Sequence, residues 1–341
     1  MRQTPSRYAD IARTALVAYD LPTNSTATLL RGLNNAVFEV AADADVRFAL
    51  RVHRPGWRTA DQIASELAFQ QAVGARLDGS RIDVPRPVPA SSGDLVVRVL
   101  ADVGTPGLCS LLTWLDGVPL RPARGLGPRA AELLGEALAR LHDAGASFQP
   151  PAGFDLPRWD ADGLFGAHSP YLSGADVDEL RDLLPADDHA LFRRVADRTR
   201  GAFDEFEAAS APGQFGVIHN DFILGNCHFR LDRRSWRVGV LDFDDCGWGW
   251  FCSDLGAVLG NLADFRTSFT RLSRAFLAGY RTIRPLPQGF DQHWPLMMAT
   301  RHAANCLWAL GRGRTTGDMD AARRQLDVRM QLVRYCLAFE R

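Results

Sequence analysis

The sequence predicts an α+β chain of two lobes, on three observations. Strand-like segments of period two crowd into the stretch before Asp116, and helical periodicity dominates from Gly127 onward. At 341 residues the chain also exceeds the size at which a single core usually stops growing. The expected division is an N-terminal lobe over 1–112, a hinge over 113–118 and a helical C-terminal lobe over 119–341.

The segment Pro5 to Leu21 repeats apolar residues at Tyr8, Ile11, Ala12 and Leu16, a helical spacing closed by Pro22. The period then changes to two: "ATLLRGLNNAVFEVAA" and "VRFALRVHRP" read as strands with turns at 32–35 and 42–45. In the second, Val46, Phe48, Leu50 and Val52 share one face, and Arg47, Ala49, Arg51 and His53 share the other. Ala49 and Arg51 therefore point the same way, so that a small residue can lie against a flat base while the cation reaches a phosphate. The helix "TADQIASELAFQQAVGARL" follows, with Ile63, Leu67 and Val73 apolar and Glu66 placed to take the fork of Arg51. An ordinary solvated side chain is the alternative for both. Pro85, Pro87 and Pro89 mark an extended connection, and "LVVRVL" and "LCSLLTWLDG" form a further strand pair ending in a turn at Asp116 and Gly117. Backbone groups of Thr113, Trp114 and Leu115 would face a purine there, although Trp114 and Leu115 suit a core equally well.

In "PRAAELLGEALARLHDAG" a broad stripe runs through Leu133, Leu134, Ala137, Leu138 and Leu141, with Gly145 as a stop, and His142 reads as a packed core or cap residue. Pro150 to Gly174, rich in Pro and Gly and carrying Trp159, Phe165 and Tyr171, reads as a loop packed on the second lobe. "DVDELRDLL" and "DHALFRRVADRTRGAFDEFEAA" are helices leading to Val217. After Asp254 the segments "LGAVLGNLADF", "SFTRLSRAFLAGYRTI", "HWPLMMATRHAANCLWALGRG" and "MDAARRQLDVRMQLVRYCLAF" are all helical by period, with Met297, Met298 and Trp308 as core candidates.

Composition narrows the function classes. A hydrophobic content of 46% with 23% charged residues describes a soluble globular chain, and a net charge of -1 gives no electrostatic footprint for nucleic acid or an anionic membrane. The chain has no lysine; all 39 basic residues are arginine, so any phosphate-binding cation must be arginine. The six cysteines show no C-x-x-C spacing and sit in apolar contexts, as small buried hydrophobes do. With neither the apolar core of a secretory signal nor a run long enough to span a membrane, a cytoplasmic location is expected.

Chemistry concentrates between Val217 and Asp254. Two short apolar strands, Cys227 to Phe229 and Val238 to Leu241, each carry polar residues at one end. Before the first stand His219, Asn220, Asp221 and, after four residues, Asn226; the second runs into Asp242, Phe243 and Asp244. Asn226 and Asp242 offer the hard oxygen ligands that magnesium prefers, few enough that phosphates and water complete the octahedron. Asp221 remains to accept a proton from an incoming hydroxyl. The order and spacing match the kinase pattern H-x-D-x-x-x-x-N followed by a metal-binding Asp on the next strand.

Taken with Asp254 in "SDLG" and the N-terminal "GLNNAVFEV", "FALRVHRP" and "SEL", the motifs "HNDFILGN" and "VLDFDD" resemble those of the phosphotransferase enzyme family, from about Leu29 to the final helices. That family includes aminoglycoside phosphotransferases, homoserine-kinase-like and choline-kinase-like enzymes, and a bacterial stress-response kinase that phosphorylates proteins. The resemblance implies a protein-kinase-like fold: a small lobe with an antiparallel sheet and one helix, a hinge, and a larger helical lobe. It implies Asp221 as catalytic base, Asn226 and Asp242 as magnesium ligands, Arg51 as phosphate clamp and Glu66 as its partner. Ala49, Gly32, Asn35, Thr113, Trp114 and Leu115 would surround the nucleotide. Asp254 would brace the catalytic loop by accepting backbone hydrogen bonds, with His219 in a structural role. Two features depart from the pattern: G-x-G-x-x-G is absent, leaving Gly32 to mark the loop over the phosphates, and Arg51 stands where lysine is commoner. Arginine is always charged and forks onto two oxygens, so clamping survives.

The expected activity is transfer of the terminal phosphoryl group of ATP or GTP, with Mg2+, to a hydroxyl of a small metabolite or antibiotic, by positioning and charge neutralisation. A protein Ser/Thr kinase of the stress-response type is the alternative and would need an open acceptor site. A nucleotide-binding pseudokinase would have no use for a base at 221, and a metal-dependent hydrolase lacks a histidine cluster at ligand spacing. Asp244 and Asp245 either tune the site, contact a cationic substrate or are surface carboxylates. Residue types over 150–174 and 290–314 single out no acceptor, and the sequence carries no signal for oligomeric state.

Overall fold

The computed structural model describes residues 5–32, 35–43, 45–100, 106–209, 211–233 and 235–340. The chain forms two units, Met1–Gly117 with Gln149–Leu156, and Val118–Phe148 with Pro157–Arg341. The fold class is α+β: an antiparallel sheet dominates the first unit and helices the second.

The first unit runs α1 (Pro5–Leu16), β1 (Thr26–Gly32), β2 (Ala36–Asp43), β3 (Val46–Val52), α2 (Ala60–Leu77), β4 (Ile82–Asp83), β5 (Pro87–Val88), β6 (Val97–Val99) and β7 (Gly107–Thr113). Its sheet has the order β1-β2-β3-β7-β5, with β6 also paired to β7. Alternation along the strands sends side chains to both faces. Phe38, Val40, Leu50, Val52 and Leu111 pack with Ile11, Ala12 and Ala15 of α1, while Ala49 and Leu112 pack with Ile63 and Leu67 of α2. Each large apolar side chain so buried contributes about 1.5–3 kcal/mol. Arg51 shares the parity of Ala49 and is thereby aimed at α2. Thr59 caps α2 in a reciprocal box with Gln62, fixing where the helix begins.

Helical periodicity extends to Leu21, yet α1 stops at Leu16 because the N–H groups of Val17, Ala18 and Tyr19 bond three residues back and tighten the chain out of the helix. Leu33 and Asn34 of the expected 32–35 turn, and Ala44 of the 42–45 turn, lie outside the described residues.

The second unit contains β8 (Val118–Pro119), α3 (Pro128–Ala146), α4 (Ala161–Phe165), α5 (Leu180–Leu183), α6 (Ala186–Ala209), β9 (Phe215–Ile218), β10 (Cys227–Asp232), β11 (Ser235–Val240), β12 (Gly247–Trp250), α7 (Phe251–Ala263), α8 (Phe269–Arg281), α9 (Phe290–Thr316) and α10 (Met319–Leu337). β10 and β11 form a hairpin in which Cys227 faces Val240, and β12 pairs antiparallel with β9. Met297 and Met298 are fully buried on α9, and all six cysteines are buried and free. Among the described residues no helix is long and apolar enough to cross a membrane.

Four local expectations are corrected here. The segment 176–184 gives a single 3-10 turn followed by the four-residue α5 rather than one helix. The stretch 150–174 is not one loop: its residues up to Leu156 belong to the first unit, where the Asp155 N–H bonds Ser65 Oγ at 2.8 Å, and the remainder includes α4. Gly145 does not stop α3, which continues to Ala146; it is small because any Cβ would collide with the Val217 carbonyl of β9. The strand β12 was not expected from "GWGW", whose glycines leave room for the Pro157 carbonyl, Trp159 and Ile218.

Candidate active site

The hairpin β10–β11 sets the site. The loop between β9 and β10 carries His219 to Asn226, and Asp242 follows Leu241 beyond β11. The two ends are tied together, since the Leu241 N–H bonds the Asn226 carbonyl at 2.8 Å and His219 Nε2–H donates to the Leu241 carbonyl at 3.0 Å. With Nε2 donating, His219 Nδ1 is left to accept the Asp221 N–H at 3.3 Å. The ring, buried against Phe222 and Phe243, is neutral, burial holding its pKa below the usual value.

Asn226 Nδ2 donates to Asp221 twice, to the carboxylate Oδ2 at 2.8 Å and to the backbone carbonyl at 3.0 Å. The other carboxylate oxygen, Oδ1, accepts from Arg301 Nη2 of α9. Burial pushes the Asp221 carboxyl up to about 6; Arg301 and the Asn226 amide oppose the rise and the Asp242 charge adds to it. Asn220 (φ 60) and Asp242 (φ 67) both adopt the left-handed conformation. Such backbone costs about 1–3 kcal/mol and persists where the surroundings enforce it. Asn220 is enforced from three sides: its N–H bonds Asp254 Oδ1, its Nδ2 bonds Tyr171 Oη and its carbonyl accepts Arg301 Nη1.

Asp254, in the first turn of α7 and 1% exposed, receives the N–H groups of His219 (3.1 Å) and Asn220 (3.0 Å). A third donor, His142 Nε2–H of α3, reaches its Oδ2 at 3.2 Å. That leaves His142 Nδ1 as acceptor for the Tyr280 hydroxyl of α8 at 2.8 Å, while Phe251 stacks on the imidazole at 4.3 Å. The loop is therefore held by a hydrogen-bonded chain reaching through three helices.

In the first unit, Glu66 of α2 takes the fork of Arg51, Nη1 to Oε1 at 2.6 Å and Nη2 to Oε2 at 3.4 Å, both residues buried. Ala49 lies two places back on β3. Asn35 Oδ1 accepts the Arg54 N–H, and Gly32 ends β1 with open space around it. Thr113 closes β7, its N–H donating to the Arg86 carbonyl and its Oγ1 accepting the Arg86 N–H. Trp114 follows, its indole N–H on Asp116 at 3.2 Å and its ring under Arg47, and Leu115 is half-buried.

The sequence signature of the phosphotransferase enzyme family matches residues 26–293, most of the chain, from β1 to the start of α9. The chain belongs to the phosphotransferase enzyme family. It is therefore an enzyme of the kinase kind. An uncharacterized protein of Deinococcus radiodurans is 30% identical to this phosphotransferase over 324 residues, 91% of this chain and 84% of that one. The homoserine kinase of Azorhizobium caulinodans is 29% identical over 290 residues, 82% of this chain and 79% of its own. Among solved structures, a microcompartment-associated aminopropanol kinase superposes with a TM-score of 0.74 at 27% identity, covering 97% of this phosphotransferase and 98% of that chain.

Four residues around the loop from His219 to Asn226 were not singled out as site residues by sequence: Arg301, Tyr171, Tyr280 and, read as a packed core or cap residue, His142. Each comes from a helix or turn distant along the chain. The lack of lysine and the rarity of a buried arginine on α9 are the only hints to Arg301. For a cation, the donor set is an amide and a carboxylate. Asn226 commits its Nδ2 to Asp221, which leaves its Oδ1 without a hydrogen-bond partner beside the turn that presents Asp242. An amide oxygen and a carboxylate are hard-oxygen donors of the kind that suit an ion taking its remaining ligands from phosphate and water.

Proposed function

We propose that this phosphotransferase moves the terminal phosphoryl group of ATP or GTP to the hydroxyl of a small molecule, with Asp221 as base. The observation that carries the reading is the Asp221 carboxylate, fixed through both oxygens on a loop tied to the turn bearing Asp242. An alcohol becomes a competent nucleophile when its proton has somewhere to go. A carboxylate held in one orientation aligns the hydroxyl and takes that proton late, as phosphoryl transfer requires. Asn226 and Asp242 are the residues for Mg2+, which when bound supplies charge neutralisation at the phosphate oxygens. Arg51, steadied by Glu66, is the cation for a nucleotide phosphate, and Ala49 on the same strand face leaves room for the base. Because the Thr113 N–H is committed to the Arg86 carbonyl, hinge contacts to a purine fall to Trp114 and Leu115 within 113–118. Gly32 and Asn35 border the strand turn over the phosphates. Asp254 and His219 support the loop. The site of action is the cytoplasm, where ATP is plentiful.

The acceptor is an alcohol that also carries an amino group. Two similar proteins, a homoserine kinase and an aminopropanol kinase, are named for substrates with both groups, and Asp244 and Asp245 offer negative charge close to Asp242. The test is Asp221→Asn assayed for ADP release with Mg2+-ATP and with L-homoserine or aminopropanol as acceptor. Turnover falls by about 10²–10⁴-fold while affinity for a fluorescent ATP analogue stays within a few-fold. Undiminished turnover would take Asp221 out of the mechanism, and labelling confined to a protein acceptor would move the substrate class to polypeptides.

A further inference from the structure

We infer that Arg301 is the positioning residue of this enzyme: from α9 it locks the Asp221 carboxylate in one orientation, and Tyr171 and the Asn220 carbonyl lock Arg301 in turn. The inference rests on Asp221 being the base and adds the device that aims it. Between Asp221 and Asn226 the loop reads Phe222, Ile223, Leu224 and Gly225, with no cation of its own. The guanidinium therefore arrives from 80 residues away, and it does so with three hydrogen bonds from its two terminal nitrogens. Nη1 donates to Tyr171 Oη and to the Asn220 carbonyl, each at 2.9 Å, and Nη2 donates to Asp221 Oδ1.

Geometry distinguishes this arrangement from an ordinary ion pair. A carboxylate held by one donor can still swing about its terminal torsion. Asp221 is held on Oδ1 by Arg301 and on Oδ2 by Asn226, from two different elements, so rotation breaks one bond whichever way it turns. Each oxygen keeps a second lone pair for the incoming hydroxyl. The carboxylate side chain is 22% exposed against 12% for Arg301, so the accessible end of the pair is the acid and the buried end is the anchor. Burying a guanidinium costs several kcal/mol unless its donors are met, which is a poor way to tie down a loop that Asp254 already braces. The anchor also reaches the segment after Pro157. Tyr171 stacks on Trp159 at 4.9 Å, and the Trp159 indole N–H bonds the Asp245 carbonyl at 2.8 Å, so the turn after Asp242 and the seat of Arg301 belong to one packed unit.

The experiment compares Arg301→Met, Arg301→Lys, Tyr171→Phe and Asp221→Asn, each checked for folding by thermal melt and by binding of a fluorescent ATP analogue. Activity is ADP release from Mg2+-ATP with L-homoserine, aminopropanol and, as background, water. Arg301→Met lowers kcat by about 10²-fold with KM for ATP little changed, the loss expected from a misaimed reacting group. Arg301→Lys recovers part of it, and guanidinium ion added to Arg301→Met recovers part as well. Adding Arg301→Met to Asp221→Asn causes no further loss, because Arg301 acts through Asp221. Wild-type kcat in Arg301→Met, or fully multiplicative losses in the double variant, overturns the inference. If Arg301→Met does not fold, Tyr171→Phe decides: about a tenfold lower kcat at unchanged KM supports the seat, and no change overturns it. The Asp221→Asn control separates the two readings, since its retained turnover removes the base itself while its loss beside an unaffected Arg301→Met removes only the positioning role.

Discussion

The first unit buries Arg51 against Glu66, and the second seats Arg301 against Asp221. Both are arginine–carboxylate pairs on facing elements, yet they differ in exposure. In the first pair both partners are sunk, Glu66 4% and Arg51 7% exposed. In the second pair the cation is buried and the carboxylate is presented. The same chemical bond can therefore either lock two buried groups together, as at Arg51 and Glu66, or leave one oxygen-bearing end open, as at Asp221. This contrast predicts separable phenotypes.

The sharpest break is Glu66→Ala. Removing the carboxylate that faces a buried guanidinium costs about 3–5 kcal/mol of stability and raises KM for nucleotide, whereas Arg301→Met acts on kcat. Denaturant unfolding and steady-state kinetics on the two variants read this directly. A Glu66→Ala protein as stable as wild type would show that Arg51 is held chiefly by other neighbours, and the comparison would lose one side.

A second contrast is chemical. The groups proposed to act are carboxylates and arginines, while the buried imidazoles His53, His142, His219 and His302 are kept neutral, burial lowering each pKa, in His302 to about 3. A folded-state pKa below the unfolded value of about 6.5 gives stability that is complete above that pH and lost as the pH falls beneath it. From pH 7.5 to 5.5 His302, held at about 3, costs about 1.4 kcal/mol of stability, and the other three imidazoles add to the loss in the same direction. Unfolding at both pH values, with His302→Gln flattening the slope by about its own share, checks the assignment.

Asp254→Asn comes next in size. The carboxylate receives three donors, and an amide would turn an N–H toward at least one of them, at about 2–3 kcal/mol. Turnover falls with it because the catalytic loop loses its brace. The paired measurement is a melt and kcat: a loss in kcat at unchanged stability would place Asp254 closer to the chemistry than a brace.

These residues also show what the sequence could and could not disclose. Asp221, Asn226, Asp242 and Asp254 lie within one short stretch around the β10–β11 hairpin, so their grouping follows from spacing and strand ends. Arg51 and Glu66 sit on a strand and the next helix, where alternation and helical period say which way each points. Arg301, Tyr171, His142 and Tyr280 meet the loop only through tertiary packing of α3, α8, α9 and the turn after α4, which neither period nor spacing along the chain reveals. The missed strand β12 has the same cause. Gly247 and Gly249 carry no strand propensity, and the ladder exists because β9 and Trp159 approach closely where no Cβ intervenes.

The smallest expected effect is the most discriminating between the two pairs. Arg51 makes one short bond to Glu66 at 2.6 Å and one at 3.4 Å, so the second prong of its fork is already weak. Lysine at 51 keeps the charge and the short bond and gives up only that prong. Arg51→Lys is therefore expected to cost less than about 1 kcal/mol in stability and to change KM for ATP by no more than a few-fold. Arg301 spends its two terminal nitrogens on three acceptors, a division that one ammonium on a flexible stem reproduces poorly. Arg301→Lys should remain well below wild-type kcat while Arg51→Lys approaches it. Equal losses at the two positions would mean that both arginines work by geometry, and that the first pair, too, depends on its fork.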